Sequence, residues 1–229
     1  MKIILDPGHT FGYNKYPAPL TGTSEGTQMY ILACYLGMTL KSKGYDVELT
    51  RNSAEDPDLL TRGKKAEGGE LFISLHSNAC DTTTVDRVVV IPTITNKAQD
   101  FRRFCQDIGD TVKKTIGITG NTQIYERTYI DGGVTKDYYG VVRNAVAYGH
   151  CMKSLIVEHG FHTNPAVAKW LSSSTNLLKL AKAEADIISQ YLPLPAPVKT
   201  DKTFYGYDLK ANVTVEMLAD ILNKMKDVL

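Results

Sequence analysis

Four separated stretches of the 229-residue chain each offer a group that hydrolytic metal chemistry needs. They are His9 closing LDPGH, Glu25 within TSEGT, His76 at the centre of SLHSN, and Glu158 in VEHGF. Two imidazoles and one carboxylate fill three positions of a tetrahedral zinc site and leave the fourth for water. A second carboxylate outside the ligand set can then serve as general base toward that water. Taken singly, each residue has a plainer explanation. A histidine after Asp-Pro-Gly can be a turn residue bonded to backbone. A glutamate opening a helix is favoured by the helix dipole, and a glutamate at a strand end can face solvent. Together they point to a metal-dependent hydrolase, provided that the four segments converge.

The elements that must bring them together follow from hydrophobic period. Lys2–Leu5 is a short apolar run ended by Asp6-Pro7-Gly8, hence a buried strand entering a tight turn. Residues 9–23 read as a long surface loop. From Glu25 a helical period begins, with Met29, Leu32, Ala33, Leu36 and Leu40 on one face and Gly44 at its close. Strands are expected at Tyr45–Leu49, Glu70–Leu75, Arg87–Ile91 and Ser154–Val157. Helices are expected at Leu59–Ala66, Asn96–Thr115, Pro165–Leu171 and Thr175–Tyr191. Residues 117–145 alternate turn signals with Tyr-rich segments and suit short strands or a rim. Strands separated by helices imply an α/β fold, a mostly parallel sheet covered on both faces. In such sheets sites lie at the C-terminal edge of the strands, which is where His9, His76 and Glu158 fall.

The other histidines are weaker candidates. His150 precedes a strand and faces solvent. His159 neighbours Glu158, but successive strand residues point to opposite faces, so the two should not share one metal. His162 follows Gly160-Phe161 in a loop and can line the cleft without binding metal. Tyr13, Tyr16, Tyr125, Tyr129, Tyr138 and Tyr139 lie on loop stretches, where tyrosines either stack on sugars or simply anchor loops.

Composition narrows the partners. Lys plus Arg total 26 against 25 Asp plus Glu, which argues against strong non-specific binding to nucleic acid or anionic lipid. No apolar run is long enough for a membrane span. The start, MKIILDPGH, reads as a first strand rather than a signal peptide, so cytoplasmic synthesis is expected. Cys34, Cys80, Cys105 and Cys151 lack CxxC spacing and read as buried reduced thiols. Domain limits are expected at 1–191 for the main unit, 192–203 for a linker carrying Pro193, Pro195 and Pro197, and 204–229 for a short tail. The tail should form one helix over Val215–Val228. About twenty-five residues cannot bury a core alone, so the tail should dock on the main unit or pair with a second copy of the chain.

The segments ILDPGH, LFISLHSNA and LIVEHGFHTN, with Glu25 opening a long helix, resemble the zinc-dependent N-acetylmuramoyl-L-alanine amidases of the type 3 class. These are peptidoglycan hydrolases of bacterial autolysins and phage endolysins. Supporting matches are Thr50-Arg51, Arg62 in LLTRGKKAE, and Val142-Arg143-Asn144, and the resemblance runs from about Lys2 to Tyr191. It implies an α/β sandwich around a twisted sheet of about six strands. It further implies Zn2+ held by His9, Glu25 and His76, with Glu158 as the catalytic glutamate. The substrate would be peptidoglycan, cut at the amide between N-acetylmuramic acid and L-alanine. Two departures bear on substrate preference. Thr82–Arg87 stands where members carry a glycine soon after HSNA, and His162 stands where many have an aliphatic residue. No wall-binding module of the family is recognisable after the linker. The layout suits an endolysin that acts on the wall after release. The competing expectations are a zinc peptidase cutting within the stem peptide, a wall-binding protein that has lost catalysis, and a non-enzymatic domain.

Overall fold

The computed structural model describes residues 1–194, together with the backbone of Thr203–Phe204 and Tyr207–Asp208. Three central strands, β1 (Lys2–Pro7), β3 (Leu71–Asn78) and β8 (Ser154–Phe161), are apolar on alternate residues of both faces. Such strands can only lie between two layers. Ile3, Leu5, Ile73, Leu75, Leu155 and Val157 join one buried cluster, and Ile4, Phe72 and Ile156 join the other. β2 (Asp46–Leu49), β4 (Val88–Pro92) and β5 (Thr122–Ile124) complete a six-stranded sheet in the order β2-β1-β3-β8-β4-β5.

Helices α1 (Glu25–Ser42), α3 (Gln99–Ile116), α5 (Pro165–Leu171) and α6 (Ser174–Tyr191) cover the larger cluster. α2 (Leu59–Lys64) and α4 (Gly140–Ala147) cover the smaller one. Ser24 caps α1 by accepting from the Thr27 amide, and carbonyls of Asn14 and Tyr13 take the Glu25 and Gly26 amides. The loop after β1 is therefore folded back on the start of α1, and it buries Tyr16, which is 1% exposed. Of the two readings open for the loop tyrosines, Tyr16 takes the anchoring one, since its ring is packed inside beneath its own loop.

The sheet is mostly parallel, with one reversal. β4 runs antiparallel to β8 while β5 is parallel to β4. Only residues 79–87 join β3 to β4, and a parallel return needs a crossover of a dozen residues or more. The chain therefore turns back at the same sheet edge. Residues 117–145 hold β5, a hairpin of β6 (Thr128–Asp131) and β7 (Val134–Asp137) around Gly132-Gly133, and α4. α4 replaces part of the expected rim because Val141, Val142 and Ala145 have core to cover.

β3 and β8 extend further than their apolar runs suggest, so that His76 and Glu158 lie inside strands and pair in register. All four cysteines are free, and Cys80 alone among them is half-exposed rather than buried. Thr203–Phe204 and Tyr207–Asp208 (β9 and β10) pair antiparallel. The expected helix Val215–Val228, and any pairing through it, lies outside the described residues. Among the described residues no helix is long and apolar enough to cross a membrane.

Candidate active site and metal centre

β1, β3 and β8 all end at one edge of the sheet, and the four polar residues meet there. His9, Glu25 and His76 each bring one ligand atom to within 4.8 Å of the others. His76 Nδ1 lies 2.9 Å from Glu25 Oε1, and His9 Nε2 lies 3.3 Å from Glu25 Oε2. The Ser77 amide donates to Glu25 Oε1 at 3.0 Å, and Asn14 Nδ2 donates to Oε2 at 2.8 Å. Glu25, expected at a helix start, is thus only 2% exposed. Burial works against its charge, but the hydrogen bonds and charges of His76 and His9 more than offset it and hold the carboxyl below the usual range. Burial also opposes charge on His76, yet Glu25 pushes that imidazole up to about 9.

Glu158 faces the same side, one strand from His76. Its Oε2 is buried without a hydrogen-bond partner. Desolvation, with the nearby Glu25 charge, pushes this carboxyl up to about 7 against the opposing pull of His76. A buried carboxylate oxygen with an uncommitted lone pair and a raised proton affinity is fitted to take up a proton.

Two local features set the aim of these side chains. Gly8 lies under the His76 ring, and a Cβ there would come within 2.4 Å of Cε1. No other residue leaves room for the imidazole. In β8 an extra residue is inserted between the pairs His76↔Glu158 and Asn78↔Phe161. Gly160 takes up this bulge at φ 84°. Glu158 and Phe161 therefore share one face while His159 turns to the other, as expected for a bulge beside a functional edge. His159 is fully buried there, with Nε2 2.9 Å from Glu184 Oε1 and Nδ1 2.8 Å from the His76 carbonyl.

Beneath the site lies a buried layer whose role the sequence alone does not reveal. Asp6 accepts from Thr50 at 2.5 Å, Ser74 at 2.5 Å and Arg62 at 3.3 Å. Arg62 donates to the carbonyls of Pro7 and His9, each at 2.8 Å. Arg51 donates to Pro7 at 3.0 Å, Gly8 at 3.2 Å and Gly26 at 3.1 Å. Two guanidinium forks thus hold the turn that carries His9, whose own φ is 57°. Glycine and asparagine visit that region more readily than histidine, so the clamp explains why it persists. Asp6 was readable only as a turn residue, and Asn14 carried no signal at all.

The remaining candidates are elsewhere. His150 is exposed. His162 was expected to line the cleft, but it is 4% exposed, stacks on Tyr16 at 5.0 Å and bonds the Ser77 carbonyl at 2.9 Å. Tyr13 stacks on His9 at 5.0 Å. Tyr125 and Tyr138 are exposed and Tyr139 is half-buried on the Glu158 side of the sheet.

A sheet of this order brings histidine and glutamate ligand atoms together at its strand ends, in a set of three that could hold one metal ion. A family model described as N-acetylmuramoyl-L-alanine amidase matches residues 3–190. The chain belongs to that family, and membership supports amidase action on peptidoglycan. Among solved structures it is similar to Cwp6 from Clostridium difficile (TM-score 0.70, 22% identity), covering 83% of this chain and 29% of that one. The chain therefore spans less than a third of Cwp6. It is also similar to the catalytic domain of CwlV, an amidase from Bacillus (Paenibacillus) polymyxa var. colistinus (TM-score 0.66, 19% identity, 83% and 97% covered). A third is the amidase AmiC2 of Nostoc punctiforme (TM-score 0.67, 22% identity, 84% and 97% covered). At these identities the likeness is one of fold. No curated protein sequence gives a significant match.

Proposed function

We propose that the chain hydrolyses the amide joining the lactyl group of N-acetylmuramic acid to L-alanine, with a zinc ion held by His9, Glu25 and His76 and with Glu158 as general base. One observation carries this reading: three ligand atoms lie within 4.8 Å of one another, one strand from a carboxylate whose buried Oε2 has no partner. The donor set suits zinc, which takes two imidazoles and a carboxylate and leaves an open position. When bound, zinc supplies a Lewis acid that polarises a carbonyl and brings the pKa of water down to about 7.

The chain's own groups do the rest. The Ser77 amide and Asn14 hold Glu25 in place, and the arginine-clamped turn fixes His9. Glu158 takes the water's proton at Oε2 and returns it to the leaving nitrogen of L-alanine, one site serving both directions. Residues 1–191 form the catalytic unit in this reading, 192–203 the linker, and 204–229 a tail that assists wall targeting or self-association. An endolysin-type setting, in which the protein is made in the cytoplasm and meets the wall after release, is part of the same proposal.

The test is digestion of purified peptidoglycan with and without a chelator, followed by identification of the new termini. An amidase releases the α-amino group of L-alanine and no reducing sugar, and the chelator stops it. New amines on D-alanine or the diamino acid would instead make the chain a zinc peptidase. Absence of any release would leave a wall-binding protein.

A further inference from the structure

The catalytic reading leaves one buried ionisable pair without a part. His159 of β8 and Glu184 of α6 are both fully buried, with Nε2 2.9 Å from Oε1. Glu184 Oε2 has no hydrogen-bond partner. A buried ion pair seldom stabilises a fold more than apolar side chains of the same volume would. An oxygen left unpartnered in the interior lowers its worth further. The pair is therefore better explained by what it reaches than by what it adds to stability.

What it reaches is the peptide group between His76 and Ser77. Nδ1 of His159 donates to the His76 carbonyl at 2.8 Å. The amide of that same peptide, on Ser77, donates to Glu25 Oε1 at 3.0 Å. An unbroken series of hydrogen bonds thus runs from α6 to the proposed metal centre. It passes from Glu184 to the His159 ring, from the ring to one end of a peptide plane, and from the other end to Glu25. Hydrogen bonds in series polarise one another, and a planar, resonant peptide carries that effect from its carbonyl to its amide.

Strand alternation explains how the ring comes to lie there. His159 points to the face opposite Glu158, which is the face that α6 covers. The β3–β8 register slips between His76 and Asn78, and both carbonyls at the slip are met by ring nitrogens. His162 takes the Ser77 carbonyl at 2.9 Å. Only the His76 carbonyl belongs to the peptide whose amide reaches Glu25.

Resting on the zinc reading above, we propose that His159 and Glu184 are positioning residues for the metal centre, fixing through the His76–Ser77 peptide the amide that holds Glu25 in place as a ligand.

Two full-length double variants separate this role from packing. In His159→Leu with Glu184→Met the ion pair becomes apolar, and stability in urea should be kept, as in other exchanges of this kind. Zinc affinity, read by competition with a chelator, should still fall about 10-fold, the low end for loss of a group supporting a ligand. In His159→Asn with Glu184→Met the new carboxamide can again donate to the His76 carbonyl, and affinity should largely return. Full zinc affinity in the first double variant overturns the proposal. So does equal weakness in both, which would trace the loss to packing and not to the donor. A loss of affinity matched by an equal loss of stability also counts against it. An unsubstituted chain that binds no zinc sinks the metal reading itself, whereas tight binding indifferent to both variants sinks this inference alone.

Discussion

At the scale of single residues, the proposed site separates groups that would hold a metal from a group that would take the proton. Glu25 is encircled by donors from His76, His9, Ser77 and Asn14, whereas Glu158 Oε2 has none. The two carboxylates should therefore fail differently. Glu158→Gln is expected to lower turnover by about 10³-fold, within the usual range for a general base, while the purified chain keeps one zinc. His9→Ala is expected to lose the metal, and with it the response to chelator. Zinc per chain by elemental analysis, beside amine release, checks both. Full activity in Glu158→Gln would remove its role, and stoichiometric zinc in His9→Ala would take His9 out of the ligand set.

At the scale of elements, the strand ends are held by their own carbonyls. On the β1 side the fork of Arg62 takes the Pro7 and His9 carbonyls and pairs with Asp6, both charged groups nearly excluded from solvent. Removing one partner of a buried pair leaves the other charge unpaired, at a cost of about 3 kcal/mol. Arg62→Ala should lower stability by that order and weaken zinc affinity by about 10-fold, as loss of an outer-shell support does. Arg62→Lys should recover part of the stability but less of the affinity, since only the fork spans both carbonyls. Chemical denaturation and a zinc competition titration separate the two effects, and unchanged zinc affinity in Arg62→Ala would show that His9 keeps its place unaided.

On the opposite side, His159 joins β8 to Glu184 of α6, and its Nδ1 donates to the His76 carbonyl. Burial opposes its charge, and the Glu184 charge and hydrogen bond more than offset that, so its pKa is raised. A raised histidine stabilises the fold fully below its unfolded value near 6.5 and loses that contribution as pH rises through the folded value. Glu184→Gln should therefore destabilise the chain most at about pH 6, with the gap to the natural chain closing at alkaline pH. Urea unfolding at both pH values measures it; a gap that widens with pH would contradict the assignment.

For the whole molecule, one sheet edge gathers His9, Glu25, His76 and Glu158, and the last described residues pack back on the main core. Tyr45 donates to the Leu192 carbonyl at 2.5 Å, and Leu192 is buried with the main core. A chain ended after Leu194 should unfold within about 1 kcal/mol of the full chain, because it keeps the whole main core described above, Leu192 included. It should also cleave soluble muropeptides at an unchanged rate. If the tail targets walls, only the attack on intact cells should fall. A loss on soluble substrate would instead place the tail in the catalytic unit.

Local patterns carried much of this. The short apolar runs in KIIL, LFISL and SLIV and the 3.6-residue period after Glu25 marked buried strands and a covering helix, because those patterns arise within a few residues of chain. The order of the four polar segments also suggested a zinc hydrolase before any contact was known. Long-range packing decided the remainder. Sequence left Tyr16 between cleft and anchor and left His162 free to line the cleft; the fold stacks the two rings on each other and buries both. β4 ran backward because its connection was too short to cross over. Asp6, Arg51 and Arg62 became a clamp only where three strands and a helix meet. A side chain's type is written in its own position, but its partners come from residues tens of positions away, and the fold alone selects among them.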